Sequence, residues 1–318
     1  TTVLMLPITY LFGAMVASGL FLEAGVAAIA VTFLLVEKHY VHHLAVTVSR
    51  GELIDLLVFA IIAFIAYPFI PTAPVQLLGV PLDLAYVWAI VVVVTAISLL
   101  THVLVKYTRH KGAVLAAFLG GMVASVPTIS LFSRKVKDPR RLLAVNELVS
   151  AGTVTGDLVV LAAISTTLFP VLAVPMTLMA LGFLATYKYF TPGLDNRDVP
   201  LSKKPLSLKF ISIFAVLFSA IVLFINAVPK TPESIYLSAL LAGLVSSTSV
   251  LASVAYLFLQ GHLTANMAAT AVVLAIGAST FTKTALTFAR HPHDIELWAP
   301  LVTVTAAGAA GLVLIGAL

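Results

Sequence analysis

Apolar residues in this chain do not alternate with polar ones at a strand's or an amphipathic helix's period; they run on in blocks of about 20, each enough to cross a bilayer as a helix. Eleven such blocks are predicted, over 3–22, 24–44, 52–70, 84–106, 112–133, 142–166, 169–189, 209–228, 235–260, 265–289 and 297–318. The stretches between them are too short for a separate soluble domain. Ten-residue alternating strands with aromatic girdles are missing, so the pattern excludes an outer-membrane barrel. The expected fold is all-α: a polytopic membrane protein of about 9 to 11 hydrophobic helices, in the cell membrane, with the lipid bilayer as its first partner.

Polar positions sharpen this picture. With Lys106, Arg109 and Lys111 inside, eleven simple crossings place seven Lys/Arg inside and ten outside, which violates the positive-inside rule. If 112–133 and 235–260 instead enter and return on one side, sixteen of the eighteen Lys/Arg fall inside, Lys230 alone lies outside and Lys283 is in the membrane. Local sequence agrees with a break in both segments. Gly120-Gly121 precede Ser125-Val126-Pro127-Thr128, and Ala242-Gly243 precede Ser246-Ser247-Thr248-Ser249, so helix-ending glycines stand before residues suited to a new first turn. The competing reading of these small residues is close packing of two unbroken helices.

The two segments also resemble each other. Leu119 to Ser125 aligns with Leu241 to Ser247, and each is followed by a long helix, carrying Ser150, Thr153, Thr155 and Asp157 in the first half and Ser279, Thr280, Thr282 and Lys283 in the second. The predicted organisation is a four-helix region over 1–110, a first repeat over 111–190, a linker and connecting helix over 191–234, and a second repeat over 235–318. Under the re-entrant count three crossings separate the hairpins, which makes the repeat inverted, as in many secondary transporters. Residues 71–83, with Pro71, Pro74 and Pro81 and no Lys or Arg, are expected to form an external loop.

Composition narrows the chemistry. The chain is 61% hydrophobic and 10% charged, with a mean hydropathy of +1.11, which excludes a soluble enzyme. There is no cysteine, hence no disulfide, thiolate metal site or iron–sulfur cluster. Two glutamines and four asparagines make heat-labile side chains scarce, a bias that points to a thermophilic source. The net charge of +5 is accounted for by internal loops and does not indicate nucleic acid. The chain opens Thr1-Thr2 without a methionine or a recognisable signal peptide, so part of the natural N-terminus is expected to be missing.

Ionisable groups in hydrocarbon need partners or water. Asp157 lies near the middle of its span, Glu147 closer to the inner surface, and Lys283 at nearly the position equivalent to Asp157. Either these groups flank a central site or Asp157 and Lys283 form a salt bridge that holds the copies together. N–H groups near Ser125 and Ser247 favour anions, whereas carbonyls near Gly121 and Gly243 with Ser and Thr hydroxyls favour cations. Glu147 and Asp157 tilt the balance to a cation or a proton-coupled solute, as hard cations such as Mg²⁺ take oxygen ligands. The candidate binding residues are Ser125, Thr128, Glu147, Asp157, Ser246, Ser247, Thr248, Thr282 and Lys283, with Glu147 and Asp157 as the metal ligands. Asn146, Asn226, Asn266 and Glu23 read as interhelical or interfacial groups. His39, His42 and His43, the His291/His293 pair and His102 lack a matched ligand set, and no nucleotide loop, HExxH or GxSxG motif is present.

Arg50-Gly51-Glu52-Leu53, the run from Lys111 to Ser125, Ala242 to Thr248, and Ser279 to Lys283 together resemble MgtC/SapB-related membrane proteins, specifically their C-terminal domain of unknown function, from about residue 30 to the end. The resemblance implies a component of magnesium transport. Two departures stand beside it: the N-terminal MgtC-like portion is not in this chain, and a basic residue is usual in the family where this chain has Asp157, while Lys283 matches. The expectation is a transporter or permease for an ion or small solute, Mg²⁺ or another cation among them, without a cofactor, not an enzyme, and able to form a homo-oligomer. The alternative is a non-transporting membrane regulator whose hairpins serve packing.

Overall fold

The computed structural model describes residues 2–36, 50–71, 73–77, 79–107, 112–190, 194, 208–289 and 295–316. The chain divides into two compact units, Thr1–Ile54 and Asp55–Leu318. In the first, α1 (Thr2–Ala17) and α2 (Phe21–Val36) are joined by a tight turn. Gly19 takes φ 82° there and the Leu20 N–H reaches back to the Met15 carbonyl at 3.0 Å, the closure typical of a helix ended by a left-handed glycine. Helix α3 (Arg50–Ala60) runs into a π turn, Ile61–Ile65.

The second unit contains nine further helices among the described residues: α4 (Leu84–Tyr107), α5 (Gly112–Lys135), α6 (Pro139–Ile164), α7 (Phe169–Phe190), α8 (Leu208–Ala227), α9 (Pro232–Gly243), α10 (Ser247–Leu259), α11 (Ala265–Phe288) and α12 (Ala299–Leu314). Among the described residues five helices are long and apolar enough to cross a membrane: α4, α5, α6, α7 and α11. Helix α6 is the centre of the unit, buried along most of its length from Leu142 to Leu161. Its start is fixed by Asp138, whose side chain accepts the Arg140 N–H, with Pro139 in the first turn. Residues 71–83, expected as plain loop, contain an antiparallel hairpin of β1 (Val75–Leu77) and β2 (Val80–Leu82), with Leu77 opposite Val80. The signal was Gly79, at φ 78° in the turn.

Helix α5 is broken at Ala124, whose φ/ψ of −151°/75° is not helical. The break is a reversal. A methyl group placed on Gly120 would stand 2.8 Å from the Thr128 hydroxyl and methyl, although eight residues of continuous helix would separate the two by about 12 Å. Gly120 and Gly121 were expected to end the first half; both are helical, and their use is close approach. A Cβ on Gly121 would overlap the Val149 carbonyl oxygen, one on Gly152 would overlap that of Phe118, and one on Gly156 would lie 2.9 Å from that of Met122. Phe118 therefore meets Gly152, Gly121 meets Val149 and Met122 meets Gly156, so the end of the first half of α5 crosses α6 closely around Gly152.

The α9–α11 region also has close backbone contacts. Ser246, between α9 and α10, has φ/ψ of −158°/111° and aligns with Ala124. A Cβ on Gly243 would lie 2.7 Å from the Ala275 backbone, and the Thr282 hydroxyl donates to the Leu244 carbonyl at 2.8 Å. With the hairpins aligned at 122 residues and the long helices at 126, as Asp157 on Lys283, these pairs fall on Gly121 with Val149 and Met122 with Gly156. Helices α7 and α12 run in opposite directions: Gly311 packs on Pro175, Gly308 on Met179 and Gly182 on Thr303, with Thr186 and Thr303 hydroxyls 3.0 Å apart. The outer faces stay apolar and exposed, as at Leu181, Val216, Val302 and Val313.

Candidate functional site

The site begins with the first turn of α10. Ser246 caps the helix by accepting the Ser249 N–H at 3.2 Å, and the Ser249 hydroxyl bonds back to the Ser246 oxygen at 2.9 Å. With the cap made locally, the hydroxyls of Ser247 and Thr248 are free to reach across to α6. Both donate to Asp157: Ser247 to Oδ2 at 2.8 Å and Thr248 to Oδ1 at 2.5 Å. Asp157 is buried, 1% exposed. Each of its oxygens thus has a donor at the positive end of a helix, which is how a carboxylate is made tolerable away from water.

Lys283 on α11 is equally buried. Its ammonium donates to the Thr153 hydroxyl at 3.3 Å; that hydroxyl in turn lies 2.8 Å from the Val149 carbonyl and 3.2 Å from the Gly121 carbonyl. Thr153 therefore connects Lys283 to the end of the first half of α5. The salt bridge between Asp157 and Lys283 that the sequence offered is not made, since no Asp or Glu oxygen lies within 4.0 Å of the ammonium among the described residues. The lysine charge nevertheless acts on both Asp157 and Glu147.

Glu147 directly follows Asn146, whose side-chain amide makes an α6–α11 contact by donating to Thr284 at 3.1 Å. Glu147 is fully buried, and neither carboxylate oxygen has a hydrogen-bond partner among the described residues. Ten residues separate Glu147 from Asp157 on one helix, about 15 Å of rise, so the two carboxylates cannot ligate one ion together. Among the described residues no group of three or more His, Cys, Asp or Glu is placed to hold a metal.

Of the sequence-predicted residues, Asp157, Ser247 and Thr248 meet directly, Ser246 is the cap behind them and Thr282 ties α11 to the end of α9. Thr128 is used inside its own hairpin, donating to the Ala124 carbonyl at 2.7 Å. Ser125 is half-buried at the other tip and makes no side-chain hydrogen bond among the described residues. Asn266 donates to the Gly316 carbonyl at 3.0 Å, and the Asn226 side-chain oxygen is buried without a partner among the described residues. Thr153, not among the candidates, was legible as the residue one turn before Asp157 on the same face. His39, His42, His43, His291 and His293 and the side chains of Glu23 and His102 lie outside the described residues.

Residues 92–290 match the family described as a domain of unknown function (DUF4010), and over that span, more than half of its length, the chain belongs to this family. Comparison with curated proteins and with solved structures returned no match.

Proposed function

We propose that this member of the family is a multi-pass carrier of the cell membrane that moves a small ion or solute through a site between two inverted repeats. Two hairpins, 112–135 and 232–259, dip into the bilayer and return, each followed by a long helix. The reversal at Ala124 supports the first. Helix direction supports the second: with α8 and α11 crossing once each, antiparallel α7 and α12 require that 232–259 return to the side it left. The paired contacts of Gly121 with Val149 and Gly243 with Ala275 support a repeat, and three crossings between the hairpins give it opposite orientations.

The observation that carries the reading is the contact of Asp157, on the long helix of one repeat, with Ser247 and Thr248 at the hairpin tip of the other. Such a contact couples the two repeats through a charged group in the middle of the protein. A carboxylate, two hydroxyls and freed backbone carbonyls are all oxygen donors, the set that suits a hard cation or a proton. Alternating exposure follows if the repeats rock about this point.

The chain's lack of cysteine makes the test direct. Lys137→Cys and Ser125→Cys, each alone, are labelled with an impermeant thiol reagent from either side of sealed vesicles. Labelling of position 137 from the cytoplasm, together with access to position 125, supports the carrier; labelling of 137 from outside, with 125 inert, removes both the hairpins and the site.

A further inference from the structure

Three ionisable side chains are buried along the α6–α11 contact, two acids and one base, and their surroundings differ. Asp157 holds two hydroxyl donors and the start of α10. Glu147 holds none. The base sits between them: the Lys283 ammonium is bonded to Thr153, six positions beyond Glu147 and four before Asp157, about 9 Å and about 6 Å of helix rise. One ammonium balances one carboxylate. An ionised acid at Asp157 is solvated by its hydroxyls, whereas an ionised acid at Glu147 would be bare in an apolar interior, a cost of several kcal/mol on general grounds.

We infer that Glu147 holds a proton in this conformation and is the residue through which a proton drives the carrier. The inference rests on the carrier reading and names its coupling ion. A metal ion is disfavoured at Glu147 because it needs several oxygen ligands and the neighbouring polar groups are engaged: Asn146 bonds Thr284, and the Ser150 hydroxyl lies 3.5 Å from Asn146 Oδ1. Loss of the proton leaves a bare carboxylate whose charged neighbour among the described residues is Lys283. The other charged groups described on elements against α6, Arg134 and Lys135 of α5, Lys188 of α7 and Glu296 before α12, are exposed at helix ends; Tyr86 of α4 and Tyr256 of α10 stack on each other, ring centroids 4.8 Å apart. Deprotonation therefore draws the ammonium from Thr153 toward Glu147. That movement releases the link from Thr153 to the Gly121 carbonyl at the first hairpin and lessens the balance of charge at Asp157. Proton transfer at one carboxyl is thereby felt at both hairpin tips.

The proton itself is the probe. Infrared spectra of the purified full chain at neutral pH, in H₂O and D₂O, report the carbonyl stretch of a buried carboxylic acid. A band is expected in the natural chain, lost in Glu147→Gln and kept in Lys283→Met, where removal of the ammonium leaves the acid neutral. No band in the natural chain overturns the inference without recourse to any variant, and so does a band that survives in Glu147→Gln. Coupling is read separately, as the thiol-labelling rate of Ser125→Cys divided at each pH by that of the exposed Lys137→Cys, which removes the thiolate's own pH dependence. A pH-dependent ratio that becomes flat when Glu147→Gln is added supports it; a ratio that is flat with Glu147 present, or pH-dependent without it, overturns it. Failure of the carrier reading has a different signature, external labelling of Lys137→Cys, which none of these spectra depends on.

Discussion

The Ser247 hydroxyl donates to the Asp157 carboxylate at 2.8 Å across ninety residues of sequence, and the two belong to helices of different halves of the unit. Neither residue is exposed. The contact places a polar connection where lipid-facing helices would otherwise be held by small-residue packing alone. The groups that stabilise Asp157 sit at the break between α9 and α10.

Ser247→Ala and Thr248→Val should each destabilise the folded chain by about 1.5 to 3 kcal/mol, the range for a hydrogen bond to a charged group. Thr305→Val is the control: its hydroxyl bonds only its own helix, at 2.8 Å to the Leu301 carbonyl, and is exposed, so the change should stay within about 0.5 kcal/mol. Denaturant unfolding in detergent measures all three. Equal losses would mean that Asp157 draws no stabilisation from the hairpin tip.

Asp157→Asn should fold and purify, because an amide still accepts one hydroxyl hydrogen and donates to the other oxygen, yet it removes the charge that the carrier reading needs. Proteoliposomes loaded at one pH and diluted into another, followed with an internal pH dye, should show a proton response in the natural chain that the variant lacks. An unchanged response would dissociate Asp157 from the activity.

Gly121→Ala and Gly152→Ala should prevent folding, since each new methyl would occupy the space of a backbone carbonyl oxygen on the facing helix. Backbone cannot give way as a flexible side chain can. Gly243→Ala, 2.7 Å from the Ala275 backbone, should be nearly as harmful. Gly277→Ala meets nothing within 4 Å and should be neutral or stabilising by up to about 1 kcal/mol through helix propensity. Yield of monodisperse protein and unfolding midpoint separate the two classes.

Position 233 and position 262 bracket the second hairpin and both are exposed. Glu233→Cys and His262→Cys should label from the same side of the membrane, opposite to Lys137→Cys. Labelling of 233 and 262 from opposite sides would show that 232–259 crosses.

The all-α class, the apolar blocks and the weak likeness of 119–125 to 241–247 were all readable because burial in lipid acts on composition and on small residues alike. The exact residue of the first break was not: Ser125-Val126-Pro127 marked its neighbourhood, but Ala124 itself carries no mark. The glycines carried the right segment and the wrong role. For the site, charge in an apolar span singled out Asp157, Glu147 and Lys283, but hydroxyls that bond their own helix look identical in sequence to those that reach across. Thr153 and Thr155 show this, two residues apart on α6.

Both threonines donate to the carbonyl four residues back, Thr153 to Val149 at 2.8 Å and Thr155 to Ala151 at 2.9 Å. Only Thr153 also receives the Lys283 ammonium. Thr→Val keeps the shape of either side chain, so the paired substitutions isolate what the Thr153 hydroxyl makes beyond its own helix, the lysine bond and the 3.2 Å contact with the Gly121 carbonyl. Thr153→Val leaves a buried ammonium without its acceptor, and a buried group so stranded costs about 1 to 3 kcal/mol, more when charged. Thr155→Val removes only a bond within the helix and should cost less than about 1 kcal/mol. Unfolding of the two variants in the same detergent should therefore differ by more than about 1 kcal/mol, and the difference should narrow when Lys283→Met is added to both. Equal stabilities with Lys283 in place would mean that the lysine does not rest on Thr153, and the path from Glu147 to the first hairpin would lose its middle.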